Sequence, residues 1–320
     1  MNILKPTDAN ITAAAEIIKN GGIAAFPTET VYGLGADALN PIAVAKIFEA
    51  KKRPFFDPLI VHIAELSDMD KITKRPDSKS LKLMERFWPG PLTIILEKND
   101  NLPHIVTSSL PNVAVRMPSN NIALEFIKKS GTTIAAPSAN RFGCLSPTSA
   151  EHVYSQLGSS VDIIIDGGQC TFGIESTIIK ILEDKIYLLR HGAITKEEIE
   201  EFIKEPVVLD ITSDKTEAPG QLPYHYSPEK QIILIDKITT IEERCGYLFY
   251  KKPDFYAPEN SSKILSEKGN LREAAANLFS HLHYLDRLDI DIIYAEKIEE
   301  KGLGIAIMDR LNKASRKNNK

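Results

Sequence analysis

Over residues 1–205, short apolar runs alternate with stretches whose apolar positions recur every three or four residues. The runs at 22–27 (GIAAFP), 58–63 (PLIVHI), 92–98 (LTIILEK), 113–118 (VAVRMP), 132–137 (TTIAAP), 161–168 (VDIIIDGG), 176–182 (STIIKIL) and 186–190 (IYLLR) predict strands. The stretches at 40–52, 78–88, 120–130, 149–157 and 195–204 predict helices, the last opening on a capping box, Thr195-x-x-Glu198. The chain starts with a short strand, then a helix capped by Thr7 or Asp8 and stopped by Gly21-Gly22. Connections of such uneven length argue against a simple parallel barrel within this α/β mixture. The pattern breaks over 206–230, where prolines, a glycine and polar residues without a period read as a linker. From 231 a second alternation begins: QIILID, a helix, CGYLFY, a helix over 270–288, DIIYAE and a helix over 304–315. That order predicts a small parallel sheet covered by helices. The expected organisation is thus a first α/β domain over 1–205, a linker or lid over 206–230 and a second α/β domain over 231–320.

Composition adds limits. A chain of 320 residues, 43% hydrophobic and 26% charged, has material for two packed cores and is not the composition of a disordered protein. A net charge of −4 provides no global basic field, so contact with nucleic acid would need a local patch. Cys144, Cys170 and Cys245 are widely spaced, with no CxxC pair, which argues against a disulfide framework or a zinc site. No run of about 18 apolar residues occurs and the start is not that of a signal peptide, so the expectation is a cytoplasmic protein with no membrane contact.

Candidate chemistry sits at strand ends. Residues 27–35, PTETVYGLG, put two threonine hydroxyls, a carboxylate and a tyrosine beside glycines that permit close backbone approach. Gly33-Leu-Gly35-Ala-Asp-Ala38 fits G-x-G-x-x-A formally, but Pro-Thr-Glu-Thr-Val-Tyr separates it from its strand, so the first tight turn of a dinucleotide site is missing. Lys51, Lys52 and Arg53 close a helix, where cations complement the dipole. The stiff Pro-Phe-Phe-Asp57-Pro58 that follows would also suit a grip on phosphates. Arg116 inside an apolar strand requires an anion, either an internal carboxylate or one from a substrate. Ser138 and Asn140, Ser146, the segment Gly173–Thr177 and Arg190 complete the set. There is no Walker A motif, no Ser-His-Asp order, no cysteine nucleophile motif and no metal cage. The combination suits an anion-rich substrate and catalysis by positioning and charge neutralisation.

The ordered blocks PTETVYGLG, AKKRPFFDPLIVH, FWPGPLT, VAVRMP, PSAN, SPTSAEHV, DGG, GIESTI and LLRHGAIT resemble the YrdC-type threonylcarbamoyl-AMP synthase family over about residues 22–195. APGQLPYHYSP (218–228) and GLGIAIMDRLNKAS (302–315) resemble the linker and ending of its longer, two-domain branch. The resemblance implies a large twisted α/β domain with a positively lined cavity, joined to a smaller Rossmann-like domain. It implies an enzyme that makes threonylcarbamoyl-AMP and pyrophosphate from L-threonine, bicarbonate and ATP, for threonylcarbamoyladenosine modification of tRNA. Lys51 and Arg53 match the catalytic positions, and Thr30, His62, Arg116, Ala136 and Ser176 those that contact threonine. Lys51, Arg53, Asp57, Ser138, Asn140, Ser146, Arg190, His225 and Tyr226 match the ATP side. Mg2+ is implied only as carried by the ATP phosphates, and the implied partners are tRNA and the downstream threonylcarbamoyl-transfer proteins. Two departures stand out. Asp57 occupies a position where many relatives have Asn, and Leu222, Pro223 and Tyr224 replace a Lys-Tyr-Arg portion of the linker. The alternative is a non-catalytic module for double-stranded RNA or tRNA, which the net charge disfavours.

Overall fold

The structure is a computed structural model that describes residues 2–209, 219–220 and 225–316. The first domain contains β1 (Ile3–Leu4), α1 (Asp8–Lys19), β2 (Ala24–Phe26), β3 (Gly33–Asp37), α2 (Pro41–Lys51), β4 (Ile60–His62), α3 (Ser78–Phe87) and β5 (Leu92–Glu97). It continues with α4 (His104–Thr107), β6 (Asn112–Arg116), α5 (Asn121–Ser130), β7 (Ile134–Ala135), α6 (Ala150–Leu157), β8 (Ile163–Ile165), β9 (Thr177–Leu182), β10 (Lys185–Arg190), α7 (Lys196–Ile203) and β11 (Val207–Leu209). The second domain contains β12 (Gln231–Ile235), β13 (Cys245–Phe249), β14 (Ser262–Ile264), α8 (Leu271–Asp286), β15 (Ile292–Glu296) and α9 (Leu303–Ser315).

Local signals account for most helix starts. Asn40, Asn120 and Asn270 each accept two backbone N–H groups of the following turn, and Thr7, Asp77, Ser149 and Thr195 accept one apiece. The eleven strands of the first domain form one mixed sheet ordered β1-β8-β2-β3-β7-β4-β6-β5-β9-β10-β11. α1 and α5 pack on Ala24, Phe26, Ile134 and Ile163, while α2, α3, α6 and α7 enclose a larger core with Leu34, Val61, Ile94 and Leu188. The second sheet, β12-β15-β13-β14, is wholly parallel, as expected for the Rossmann-like class.

PTETVY is the loop of a β2–β3 hairpin, so Gly33 and Gly35 belong to a strand, in keeping with the missing dinucleotide turn. Two local expectations differ from the structure. β11 lies inside the stretch read as linker and pairs with β10, which carries the first sheet as far as Leu209. No helix forms between β12 and β13; Ile238 instead packs beside Tyr247 and Phe249, and the β-branched Thr239-Thr240-Ile241 disfavours a helix in so short a span.

The two domains share a core. Val31, Leu145, Ile174 and Ala193 leave the first domain at its site loops and cluster with Leu278, Phe279 and Ile307 of the second, with Tyr226 between them. Gly173 lies so close to α8 that a Cβ would come within 2.4 Å of the Ala276 carbonyl oxygen, and its φ of +69° is one L side chains rarely adopt. Of the described helices, none is long and apolar enough to cross a membrane.

Candidate active site

A cavity opens at the ends of β2, β4, β6 and β10 and at the start of β9, walled by the hairpin loop and by described linker residues Pro219, Gly220, His225 and Tyr226. Thr30, Arg53, His62, Arg116, Ala136, Ser138, Ser176, Arg190, His225 and Tyr226 all line it. Lys51, Asp57, Asn140 and Ser146 stand behind the wall.

On the hairpin side, the Thr28 and Thr30 hydroxyls lie 2.8 Å apart, and Arg116 Nη1 donates to Thr30 Oγ1 at 2.9 Å. The anion that Arg116 needed is internal: Glu29 Oε1 sits 2.6 Å from Nη2, with both side chains buried. The PTET motif held this carboxylate in plain view, but its partner is 87 positions along the chain, so only the fold joins them. His62 is buried against the edge of Phe26, and burial, followed by the nearby Arg116 charge, depresses its pKa to about 3. It is a neutral imidazole at physiological pH.

On the opposite side, Arg53 forms a buried ion pair with Asp57 at 2.8 Å and donates to the carbonyls of Asp57 and Pro58. Burial pushes the Asp57 carboxyl up and Arg53 pulls it back. An always-protonated guanidinium at this distance keeps the pair ionised. Lys51 is fully buried, and its ammonium donates to the backbone carbonyls of Ser138 and Asn140. It therefore ties the PSAN loop to the end of α2, and burial drives its pKa well down. Asn140 braces the same loop from within, donating to the Arg141 and Cys144 carbonyls, while its Oδ1 is buried with no hydrogen-bond partner among the described residues.

The third side is built on Ser176, whose hydroxyl contacts Thr93 at 2.7 Å and accepts from Arg190 at 3.0 Å. Arg190 also donates to the Ser176 and Pro219 carbonyls, which docks the linker against β10. Gly192 permits this packing, since a Cβ there would lie 2.3 Å from the Thr177 nitrogen. Ser146 donates to Glu175 at 2.6 Å, and Glu175 also accepts two bonds from Arg310 of α9. Burial alone would raise the Glu175 pKa, but Arg310, Arg190 and the Ser146 hydroxyl together hold it at about 2. His225 is buried and edge-on to Tyr226, with its pKa lowered by burial to about 3. Tyr226 packs on Phe279 and lies beneath Arg310. The divergent linker residues Leu222, Pro223 and Tyr224 fall outside the described residues.

Sequence reasoning missed the partners Glu29, Thr93, Glu175 and Arg310. For Arg310 one signal existed: it stands three residues after Ile307 and four before Ala314, on the apolar stripe of its helix.

Fold and site together define a two-domain α/β protein whose cavity gathers three arginines, neutral imidazoles and hydroxyls to receive an anion-rich ligand. Residues 16–192 match a family described as telomere recombination, and residues 194–316 match the threonylcarbamoyl-AMP synthase C-terminal domain. The chain is 43% identical to threonylcarbamoyl-AMP synthase of Pyrococcus abyssi (strain GE5 / Orsay) over 318 residues, which covers 95% of this chain and 94% of that protein. It is 42% identical to threonylcarbamoyl-AMP synthase of Bacillus subtilis (strain 168), over 98% of this chain and 94% of the relative. The crystal structure of P. abyssi Sua5 complexed with L-threonine superposes with a TM-score of 0.90 at 40% identity, covering 98% of each chain. The chain belongs to the threonylcarbamoyl-AMP synthase family.

Proposed function

We propose that the protein converts L-threonine, bicarbonate and ATP into threonylcarbamoyl-AMP and pyrophosphate, for threonylcarbamoyladenosine modification of tRNA. The observation that carries this reading is the convergence of Arg53, Arg116 and Arg190 on one buried cavity lined with hydroxyls. A substrate pair bearing a carboxylate and a triphosphate offers anionic acceptors for those guanidinium groups. Threonine is held through its carboxylate by Arg116 and through its hydroxyl by Thr30 or Ser176, with neutral His62 and Ala136 shaping the wall. Its free amine combines with CO2 derived from bicarbonate and loses a proton, leaving a carbamate. A carbamate oxygen attacks the α-phosphorus in line, and the bond to the β-phosphate oxygen breaks to release pyrophosphate.

Arg53 and Arg190 spread the charge on the phosphates, Ser138 offers a donor, and Lys51, Asn140, Asp57 and Ser146 fix the loops that present these groups. His225 and Tyr226 close the cavity, and water exclusion protects a carbamate that decomposes in water. Among the described residues no three His, Cys, Asp or Glu side chains converge as a cage. Mg2+ carried by the ATP phosphates would supply further charge neutralisation there. Three free cysteines fit a reducing, cytoplasmic setting. The product, a reactive mixed anhydride, calls for tRNA and threonylcarbamoyl-transfer proteins as downstream partners.

The duplex-RNA alternative requires exposed cations on an open face. Here Arg53, Arg116 and Arg190 are only 6%, 3% and 6% exposed, which disfavours it. The deciding assay supplies ATP, threonine and bicarbonate and follows pyrophosphate. Release that requires threonine is expected; release indifferent to threonine would refute the reading.

A further inference from the structure

Two of the three cavity arginines already hold a carboxylate: Arg53 holds Asp57 and Arg116 holds Glu29. Arg190 does not. Among the described residues its partners are neutral oxygens only, namely the Ser176 carbonyl and hydroxyl and the Pro219 carbonyl. Yet a carboxylate stands beside it in the same wall, since Glu175 immediately precedes Ser176 and is 6% exposed. Glu175 is already occupied. Ser146 donates to one of its oxygens at 2.6 Å, and Arg310 donates to the other through Nε at 3.1 Å and Nη2 at 3.0 Å. Arg310 comes from α9 of the second domain and is 0% exposed. Its orientation is fixed further by the His191 carbonyl, by Asp309 at 3.1 Å and by the Tyr226 ring, whose centroid is 5.5 Å away.

We propose that Arg310 is a positioning residue: by engaging Glu175 it withholds that carboxylate from Arg190, leaving Arg190 free for a substrate anion. A buried carboxylate stripped of its cation takes the next one within reach. Arg190 is the pocket cation whose charge already acts on Glu175. With Arg310 absent, the Glu175 carboxylate would neutralise Arg190, and the incoming phosphates would have to compete for it. The second domain thus acts on the cavity electrostatically as well as by packing. This inference rests on the reading of the cavity as an ATP site.

The test compares the full-length parent with Arg310→Met, Arg310→Lys, Glu175→Gln and the Arg310→Met/Glu175→Gln double variant, using ATP binding by calorimetry and pyrophosphate release. Arg310→Met should weaken ATP binding by about tenfold or more, and Arg310→Lys by less, with the ATP KM moving further than kcat. Adding Glu175→Gln to Arg310→Met should bring the ATP Kd back to within about threefold of the parent, because a neutral amide does not capture Arg190. An Arg310→Met protein that binds ATP like the parent, or a double variant as weak as the single one, overturns the proposal. If Arg310→Met does not fold, the double variant is compared with Glu175→Gln alone. Equal ATP affinities support the proposal, and a difference beyond about threefold overturns it. A parent that binds no ATP overturns the functional reading together with this one, whereas normal parent binding without rescue overturns this one only.

Discussion

The two domains are built from the same kinds of element but treat buried polarity in opposite ways. The first buries arginines, a lysine and carboxylates in the strand ends and loops around the cavity, among them Glu29, Lys51, Arg53, Asp57, Arg116, Glu175 and Arg190. The second buries Ser262, Ser266, His283 and Arg310 as its only polar side chains among the described residues. Two of those four face the first domain: Arg310 meets Glu175, and His283 meets the Ser146 carbonyl at 3.1 Å and stacks on His152 at 3.9 Å. One domain carries the chemistry on an interior that needs counter-charges. The other is an apolar body that supplies a counter-charge and a surface for the site loops. Buried charge is tolerable only when paired, so the site is as stable as its pairing.

The largest expected effect comes from breaking a pair in the first domain. Arg116→Ala leaves Glu29 buried without its cation, which should cost about 3–5 kcal/mol and abolish threonine-dependent turnover. Urea unfolding and pyrophosphate release check both, and a loss below about 1 kcal/mol would contradict a buried, coupled pair.

Packing gives the next contrast. Phe279→Ala in the shared core and Ile18→Ala in the core beneath α1 should cost about 3–5 and about 2–5 kcal/mol respectively. Only the first should also lower turnover per folded molecule, because Val31, Leu145 and Ile174 lean on that core. Equal turnover in the two variants would mean that the second domain does not brace the site.

The stacked histidines should make the interface sensitive to acid. Burial holds His152 at about 4 and His283 at about 3, against an ordinary value of 6.5. Arg287 adds to the shift of both, and the Ser146 carbonyl opposes it at His283. The unfolded chain then binds protons that the folded chain refuses, so stability falls as pH drops below about 6.5. Each ring should contribute about 2 kcal/mol of that loss between pH 7 and pH 5. His283→Gln should flatten the slope of unfolding free energy against pH over that interval; an unchanged slope would separate these rings from interface stability.

The smallest effect on turnover concerns Asp57, the buried carboxylate paired with Arg53. Asp57→Asn removes an anion that competes with phosphates for Arg53, and the ATP KM should fall a few-fold, equivalent to about 1 kcal/mol. A rise in KM would mean that Asp57 orients Arg53 more than it competes for it.

Much of this was legible in the chain. Strand and helix periods, the Asn, Ser and Thr caps and the break after 205 are local properties, and they gave the two α/β bodies nearly element by element. The helix expected between β12 and β13 failed because the contacts of Ile238 in the small sheet outweighed a weak local pattern. β3 was hidden because glycines carry no side chain to show a strand's alternation.

The site divides along the same line. Residue types at strand ends determined that an anion would be bound, and the order of the motifs identified the family. What the sequence could not assign was which charge neutralises which. Arg116 with Glu29, Arg53 with Asp57 and Arg310 with Glu175 look alike as letters. Yet the first pair spans two strands, the second closes one turn, and the third crosses between domains over 135 residues. Pairing is decided by distance and desolvation in the folded state, and only the tertiary structure sets those. It alone placed Lys51 behind the wall and left Arg190 as the cavity arginine without a carboxylate among the described residues.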